Sequence, residues 1–297
     1  MKLGLGELMA EALSIKLQFR KDAFSLCSIM NVRSGGCSED CSFCAQSVRY
    51  KTDTPVYPLR PLDEVVEKAR EAKACGASRF SMVASGRGIE AKDAERLAPY
   101  IEAIRDRVQI KVCASFGIAG EDALKILKDA GLSRYHHNLE TSRDFFPKVV
   151  TTHTYEERLA TLESAKRAGL EVCSGGIIGI GESEEERVLM AETLAYFDVD
   201  SVPINILVPI PGTPLEKENP LSIPEILRTI SLFRIIRQDK PIRIAGGRET
   251  ALADFQTLAF MAGADAMLIG GYLTVRGRSV RDDLKMVNEL KAIWKSM

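Results

Sequence analysis

Three cysteines stand in one short segment, Cys37-Ser-Glu-Asp-Cys41-Ser-Phe-Cys44, at offsets of four and three. Thiolates spaced this closely, in a chain whose first residues (Met1-Lys-Leu-Gly-Leu-Gly-Glu-Leu8) lack the continuous apolar core of a signal peptide, read as metal ligands rather than disulfide partners. A closed zinc site wants a fourth ligand, and no local His or Cys supplies one. A [4Fe–4S] cubane usually takes four cysteines, so a cubane held by three keeps one iron open to a small molecule. A purely structural metal, or a coincidence of cysteines, is the alternative.

The elements that must position this loop follow from the periodicity of apolar residues. Residues 3–24 carry Leu5, Leu8, Ala12, Ile15 and Phe19 along one helical stripe, which predicts an N-terminal helical extension over 1–24. Leu26–Val32 alternates with the short period of a strand, the cysteine loop occupies 35–60, and a helix is expected from Leu62 to Lys73. From there the chain repeats strand, loop and amphipathic helix. Strands are predicted at Arg79–Ala84, Gln109–Ser115, Arg134–Leu139, Glu171–Ile178, Ser201–Leu207, Ile242–Ala245 and Ala266–Ile269. Helices are predicted at Asp93–Arg107, Glu121–Ala130, Tyr155–Ala168, Glu184–Tyr196, Pro224–Arg237, Ala251–Met261 and Val280–Trp294. Eight strand–helix units argue for an α/β fold, a single (β/α)8 barrel domain over 1–297, with an open doubly wound sheet as the alternative.

A barrel interior is filled in layers, each taking one side chain from four alternate strands. Cys27, Cys113, Cys173 and Arg243 fall on the first, third, fifth and seventh predicted strands, so they are expected to share one layer. An unpaired buried cation is costly, and Arg243 among thiolates or bridging sulfide makes better sense than Arg243 among leucines. That points to a second cluster; the other reading of Cys113 and Cys173 is as inert buried thiols. The even strands offer His136, Asn138 and Glu140 on one face, and Asn205, as polar groups at a barrel mouth. A lone histidine such as His136 is as often structural as functional.

The run Gly175-Gly176-Ile-Ile-Gly179-Ile-Gly181-Glu182 is not spaced as a dinucleotide fingerprint, but glycines at a strand end allow the close approach of a flat adenosine. Cys75, beside Gly76 at a helix end, reads as structural, and Glu182–Arg187 as the acidic, solvated first turn of a helix. A net charge of −1 with interspersed signs argues against nucleic acid and membrane as partners, and no apolar run reaches spanning length. Seven cysteines without a signal sequence suit a cytoplasmic protein with clusters or buried thiols.

The cysteine loop, with aromatic Phe43 before its last cysteine, resembles the signature of radical S-adenosylmethionine (SAM) enzymes. Longer stretches resemble motifs of the biotin synthase family in the same order: Tyr135–Ser142, Thr151–Arg158, Val172–Glu182, Val202–Asn205, Pro211–Leu215 and Arg243–Glu249. The resemblance implies that SAM-derived radicals remove hydrogen from C9 and C6 of dethiobiotin and that an auxiliary cluster provides the inserted sulfur. By position it makes Cys37, Cys41 and Cys44 ligands of the SAM-binding [4Fe–4S] cluster, and Cys113, Cys173 and Arg243 ligands of the auxiliary one. It places Phe43, Asn138, Glu140 and Ile177 at SAM, and His136, Asn138 and Asn205 at dethiobiotin. The family pattern has Asn where this chain has His136, and a third auxiliary cysteine where it has Ser81. Cys27, in the same layer, is expected to replace that missing thiolate, with the Ser81 hydroxyl as the alternative ligand, in a cluster of the [2Fe–2S] type or a larger variant. An electron donor such as flavodoxin or ferredoxin, and a homodimer, are further implications. The rival readings are another radical SAM enzyme, such as a hydrogenase-maturation or amino-acid mutase relative, and a non-catalytic iron–sulfur protein.

Overall fold

Nine parallel strands form one sheet in a computed structural model that describes residues 3–270 and 278–297. They are β1 (Ser25–Arg33), β2 (Arg79–Ala84), β3 (Lys111–Ser115), β4 (Arg134–His136), β5 (Glu171–Cys173), β6 (Gly176–Ile178), β7 (Val202–Ile206), β8 (Ile242–Ile244) and β9 (Ala266–Leu268). The order across the sheet is β5-β4-β3-β2-β1-β9-β8-β7-β6. Its two ends, β5 and β6, are the halves of one predicted strand, interrupted at Ser174 and Gly175. Single bridges from Cys173 to Ser201 and from Glu140 to Gly176 tie the halves across the gap. The sheet therefore closes on itself as an eight-unit barrel, which excludes the open doubly wound alternative.

The interruption has a steric cause. A Cβ at Gly175 would lie 1.8 Å from the Pro203 carbonyl oxygen, and one at Gly176 would lie 2.3 Å from the Glu140 carbonyl oxygen. The backbones of neighbouring strands press against this point from both sides, so only glycine fits.

The helices are α1 (Leu5–Arg20), α2 (Leu62–Ala74), α3 (Ala91–Val108), α4 (Glu121–Asp129), α5 (Tyr155–Arg167), α6 (Glu184–Tyr196), α7 (Ile223–Ile236), α8 (Arg248–Leu252), α9 (Gln256–Met261) and α10 (Val280–Lys295). Several start where a hydroxyl accepts the N–H three residues on: Thr154 from Glu157, Ser183 from Glu186 and Ser279 from Asp282. Between helices and strands lies a layer of Val, Ile, Leu and Phe that is almost wholly buried.

Several boundaries depart from expectation. The N-terminal extension leaves the helix at Arg20, because Lys21 turns to φ 49°, and its first two residues lie outside the described ones. The helix expected at Ala251–Met261 breaks into α8 and α9 around Ala253, which also takes a positive φ. The strand expected at Arg134–Leu139 stops at His136. Of the charge run after Gly181, Glu184–Glu186 does form the first turn of α6, but Glu182 and Arg187 are buried. Glu182 accepts the N–H groups of Gly179 (2.8 Å) and Ile180 (2.7 Å) and pairs with Arg187 Nε at 2.5 Å. It pins the glycine run instead of facing solvent.

Outside the barrel, one carboxylate joins α1, α7 and β8. Asp265, wholly buried, accepts from Arg20 Nε of α1 (2.6 Å), Arg234 Nη2 of α7 (3.0 Å) and the Ile242 N–H (2.9 Å). Arg234 is itself wholly buried and donates its remaining N–H groups to backbone carbonyls, among them Gly263 (2.7 Å) and Lys240 (2.8 Å).

The crowding at the strand break predicts opposite effects for two Gly→Ala changes. Gly175→Ala is expected to destabilise the fold by about 3 kcal/mol, the upper end for an overpacked interior. Gly6→Ala, in α1 with open space around it, is expected to stabilise by roughly 0.5–1 kcal/mol. Urea denaturation of the two variants measures both.

Candidate active site

The cysteine loop is held from both sides. The Cys37 N–H donates to the Gln46 carbonyl (3.1 Å) and its carbonyl accepts from Val48 (2.8 Å), while Cys44 N–H turns back onto the Cys41 carbonyl (2.9 Å). Between the cysteines, Asp40 accepts from the backbone N–H groups of Thr151 (2.9 Å) and Thr152 (3.2 Å) and from both hydroxyls. Burial opposes its charge, but these donors hold the Asp40 carboxyl at about 2. Glu39 meets His153 Nδ1 at 2.5 Å, and His153 Nε2 lies 3.1 Å from Arg158 Nε. Because Arg158 can only donate, Nε2 accepts and the proton sits on Nδ1, toward Glu39. Burial and then Arg158 push the His153 pKa down, consistent with a neutral imidazole of fixed tautomer.

Arg158 reaches further. Its Nη1 donates to the Asn138 carbonyl (2.8 Å) and lies 3.5 Å from Glu140 Oε1. Glu140 has φ 70°, a left-handed conformation rare outside glycine, and its side chain accepts from Asn138 Nδ2 at 3.2 Å. A cavity of about 190 Å³ opens among Cys37, Cys41, Phe43, Cys44, Glu140 and Arg158.

A second cavity, also about 190 Å³, occupies the barrel interior and is lined by Cys27, Ser81, Cys113, Cys173 and Arg243 together. The four residues expected in one layer thus share one chamber, and Ser81 faces it beside Cys113, its partner in the β2–β3 register. Arg243 Nη1 lies 3.1 Å from Ser201 Oγ and 3.6 Å from Cys173 Sγ. Its Nε and Nη2 are buried with no partner among the described residues, an arrangement that costs free energy unless something in the chamber accepts from them. Burial raises the Cys27 thiol to about 12 and also raises Cys113. Cys173 is different: burial opposes its ionisation, but His136 beside it and the Arg243 and Arg134 guanidiniums bring it down to about 6.

Ser115, His136, Asn138 and Glu140 line both cavities and so form the wall between them. The two asparagines brace the strand break. Asn138 Oδ1 accepts from the Gly175 N–H (3.2 Å), and Asn205 bridges the Gly176 carbonyl (3.2 Å) and the Gly246 N–H (2.9 Å). Asn205 lines the inner chamber with its amide already engaged. Ile177 lines neither cavity; its backbone N–H donates to the Glu140 carbonyl at 2.8 Å. Cys75 caps α2 away from both, and all seven cysteines are free thiols.

These donors fit iron–sulfur clusters. Burial keeps most of the thiols protonated until a metal displaces the proton: Cys44, for example, is pushed up to about 11. Among the described residues no three His, Cys, Asp or Glu side chains converge on a point where a single ion would sit. Thiols spread around a chamber would suit a polynuclear cluster, whose irons share the ligands among them.

Reading the sequence assigned no role to Glu39, Asp40, His153 and Arg158, nor to Arg79, Arg134 and Glu171 at the far end of the inner chamber. For Arg79 and Arg134 a signal existed. Period two places Arg79 on the face of Ser81, and Arg134 on that of His136. The loop contacts, more than a hundred residues apart in sequence, had none.

Comparison with known proteins gives the same direction. A family model described as the Radical SAM superfamily matches residues 31–194, and one described as the Biotin and Thiamin Synthesis associated domain matches 203–293. The biotin synthase of Pelotomaculum thermopropionicum is 51% identical over 287 residues, covering 97% of this chain and 89% of that protein. The biotin synthase of Thermotoga neapolitana is 50% identical over 275 residues, 92% of this chain and 98% of that one. Among solved structures, a methylornithine synthase superposes with a TM-score of 0.82 at 18% identity, over 100% of this chain and 92% of that one. The FeFe-hydrogenase maturase of Carboxydothermus hydrogenoformans follows at 0.81 and 17%, over 97% and 72%. Identities that low speak for the barrel alone, whereas half-identical relatives matched over nearly their whole length carry more: this chain belongs to the biotin synthases, enzymes of the radical SAM superfamily.

Proposed function

We propose that the two cavities are the two halves of one active site that converts dethiobiotin to biotin. The observation that carries this reading is the shared wall: Ser115, His136, Asn138 and Glu140 face both chambers, so a molecule lying along them touches both. In the outer chamber Cys37, Cys41 and Cys44 hold the [4Fe–4S] cluster and SAM. In the inner one Cys113, Cys173, Arg243 and Cys27 hold an auxiliary cluster, [2Fe–2S] or larger. When bound, these groups supply the radical that breaks unactivated C–H bonds at C9 and C6 and the sulfur that closes the new ring.

The chain's own part is to bind, orient and exclude water. Phe43 covers the outer chamber beside Cys44. The Glu140 carboxylate, oriented by Asn138 and Arg158, presents an acceptor for ribose hydroxyls, and Ile177 acts through its backbone by fixing the Glu140 carbonyl. His136, where relatives of the known pattern carry an amide, and Asn205 flank the place of dethiobiotin. Most groups lining the inner chamber are buried, which limits water beside a radical there, and the wall shared by the chambers lets sulfur capture carbon before side reactions do. One closed barrel, with no linker among the described residues, supports treating residues 1–297 as one catalytic domain. Free thiols and the absence, among the described residues, of a helix long and apolar enough to cross a membrane are consistent with our placing it in the cytoplasm. A flavodoxin or ferredoxin as electron donor and a homodimeric assembly complete the proposal.

Two experiments test it. Protein reconstituted anaerobically with iron and sulfide, then given reductant, SAM and dethiobiotin, is expected to yield biotin and 5′-deoxyadenosine by mass spectrometry. Deoxyadenosine without biotin would move the substrate elsewhere, and neither product would remove the catalytic reading. Separately, Cys27→Ala is expected to alter the visible spectrum of the auxiliary cluster while Cys75→Ala leaves it unchanged; identical spectra for both would take Cys27 out of the ligand set.

A further inference from the structure

Below the thiols, the inner chamber ends in a charged floor. Arg79, at the start of β2, donates through Nη2 to both oxygens of Glu171 (3.1 and 2.8 Å) and through Nη1 to Ser133 Oγ (3.1 Å). The same Nη1 lies 4.0 Å from Cys113 Sγ. Arg134, at the start of β4, grips Glu171 Oε2 from the other side with Nε at 2.8 Å and Nη2 at 2.6 Å. The side chains of Arg79 and Arg134 are only 10% and 9% exposed, whereas Glu171 is 39% exposed. The two cations therefore face the chamber, and the carboxylate that partly neutralises them faces water.

Two buried guanidiniums sharing one carboxylate leave net positive charge directly beneath the thiols. A plug that served only to close the barrel end would be made as well by hydrocarbon, and replacing such buried ionic groups by apolar ones is often neutral or stabilising. Positive charge here has a specific consequence for the reaction. Were a sulfide of a cluster held here to capture a carbon radical, one sulfide electron would pair with the radical in the new C–S bond and the other would pass to iron and reduce it, so surroundings that favour the reduced cluster would favour the capture. We propose that Arg79 and Arg134, balanced by Glu171, are positioning residues that set the reduction potential of the auxiliary cluster. This rests on the reading of Cys113, Cys173 and Arg243 as its ligands.

Full-length protein carrying both clusters is titrated spectroelectrochemically, with the SAM-binding cluster as internal reference. Arg79→Met removes a cation and is expected to lower the auxiliary potential. Glu171→Gln removes the screening anion and is expected to raise it. Arg79→Lys restores the wild-type value. Charges a few ångströms away in a water-poor interior change such an equilibrium by about tenfold or more, about 59 mV for a one-electron couple. The potential of the SAM-binding cluster stays fixed throughout. Potentials that do not move, or that move in the same direction for Arg79→Met and Glu171→Gln, would overturn the proposal and leave the floor a structural plug. Should Arg79→Met fail to load the cluster, the opposite-signed Glu171→Gln shift and the Lys variant decide it alone. If the wild-type protein shows no auxiliary cluster at all, the ligand assignment fails instead, and that outcome is distinct.

Discussion

The constraint on which the rest of the structure depends is that this barrel is filled with thiols and guanidinium groups where barrels ordinarily pack branched hydrocarbon. Cys27, Cys113, Cys173, Arg79, Arg134 and Arg243 all face one interior chamber. Such a filling supplies little hydrophobic stabilisation and carries large desolvation costs, so cohesion must come from elsewhere. It comes from the layer outside the sheet, where Val, Ile, Leu and Phe of strands and helices are almost fully buried. It also comes from ion pairs: Glu171 answers Arg79 and Arg134 below the chamber, and outside the barrel Asp265 ties Arg20 of α1 and Arg234 of α7 to the sheet. Only Arg243 keeps two buried N–H groups unanswered among these arginines, and it is the one placed among thiols.

Closure of the barrel and assembly of the site are a single structural event. The break at Ser174–Gly175 lets β5 pair with β4 and β6 pair with β7, completing the ring, and it leaves Cys173 at the inner edge of the gap. Buried backbone groups of Gly175 and Gly176 at the break are answered by Asn138 and Asn205, which are also lining residues of the chamber. Glu140, in a left-handed conformation beside the same break, is held by Asn138 and Arg158. From Arg158 the contacts run through His153 and Glu39 to the cysteine loop. The two chambers are thereby referenced to each other through a continuous run of side-chain contacts.

Period-two alternation and the strand–helix rhythm pointed to eight strand–helix units and, granted a barrel, to its inner layer, because those features are local: side chains alternate across a strand whatever the strand pairs with. Whether the sheet closed or stayed open was decided by the pairing of its two ends. Three thiols four and three residues apart declare themselves in any fold. The same alternation marked Arg79 and Arg134 as inward-facing, although their purpose depends on Glu171, which stands on a different strand. What only the tertiary structure decided was everything that joins residues distant in the chain. The break in the fifth strand is dictated by carbonyl oxygens of Pro203 and Glu140 pressing on two glycines. The burial of Glu182 and Arg187, written as a solvated charge run, follows from two glycine-run amides that needed an acceptor. The clamp of Asp40 and Glu39 onto Thr151, Thr152 and His153 exists because closing the ring brings the loop after β1 against the loop after β4. Local spacing sets which way a side chain points; which partner it meets there is set by ring closure, a property of the whole sheet.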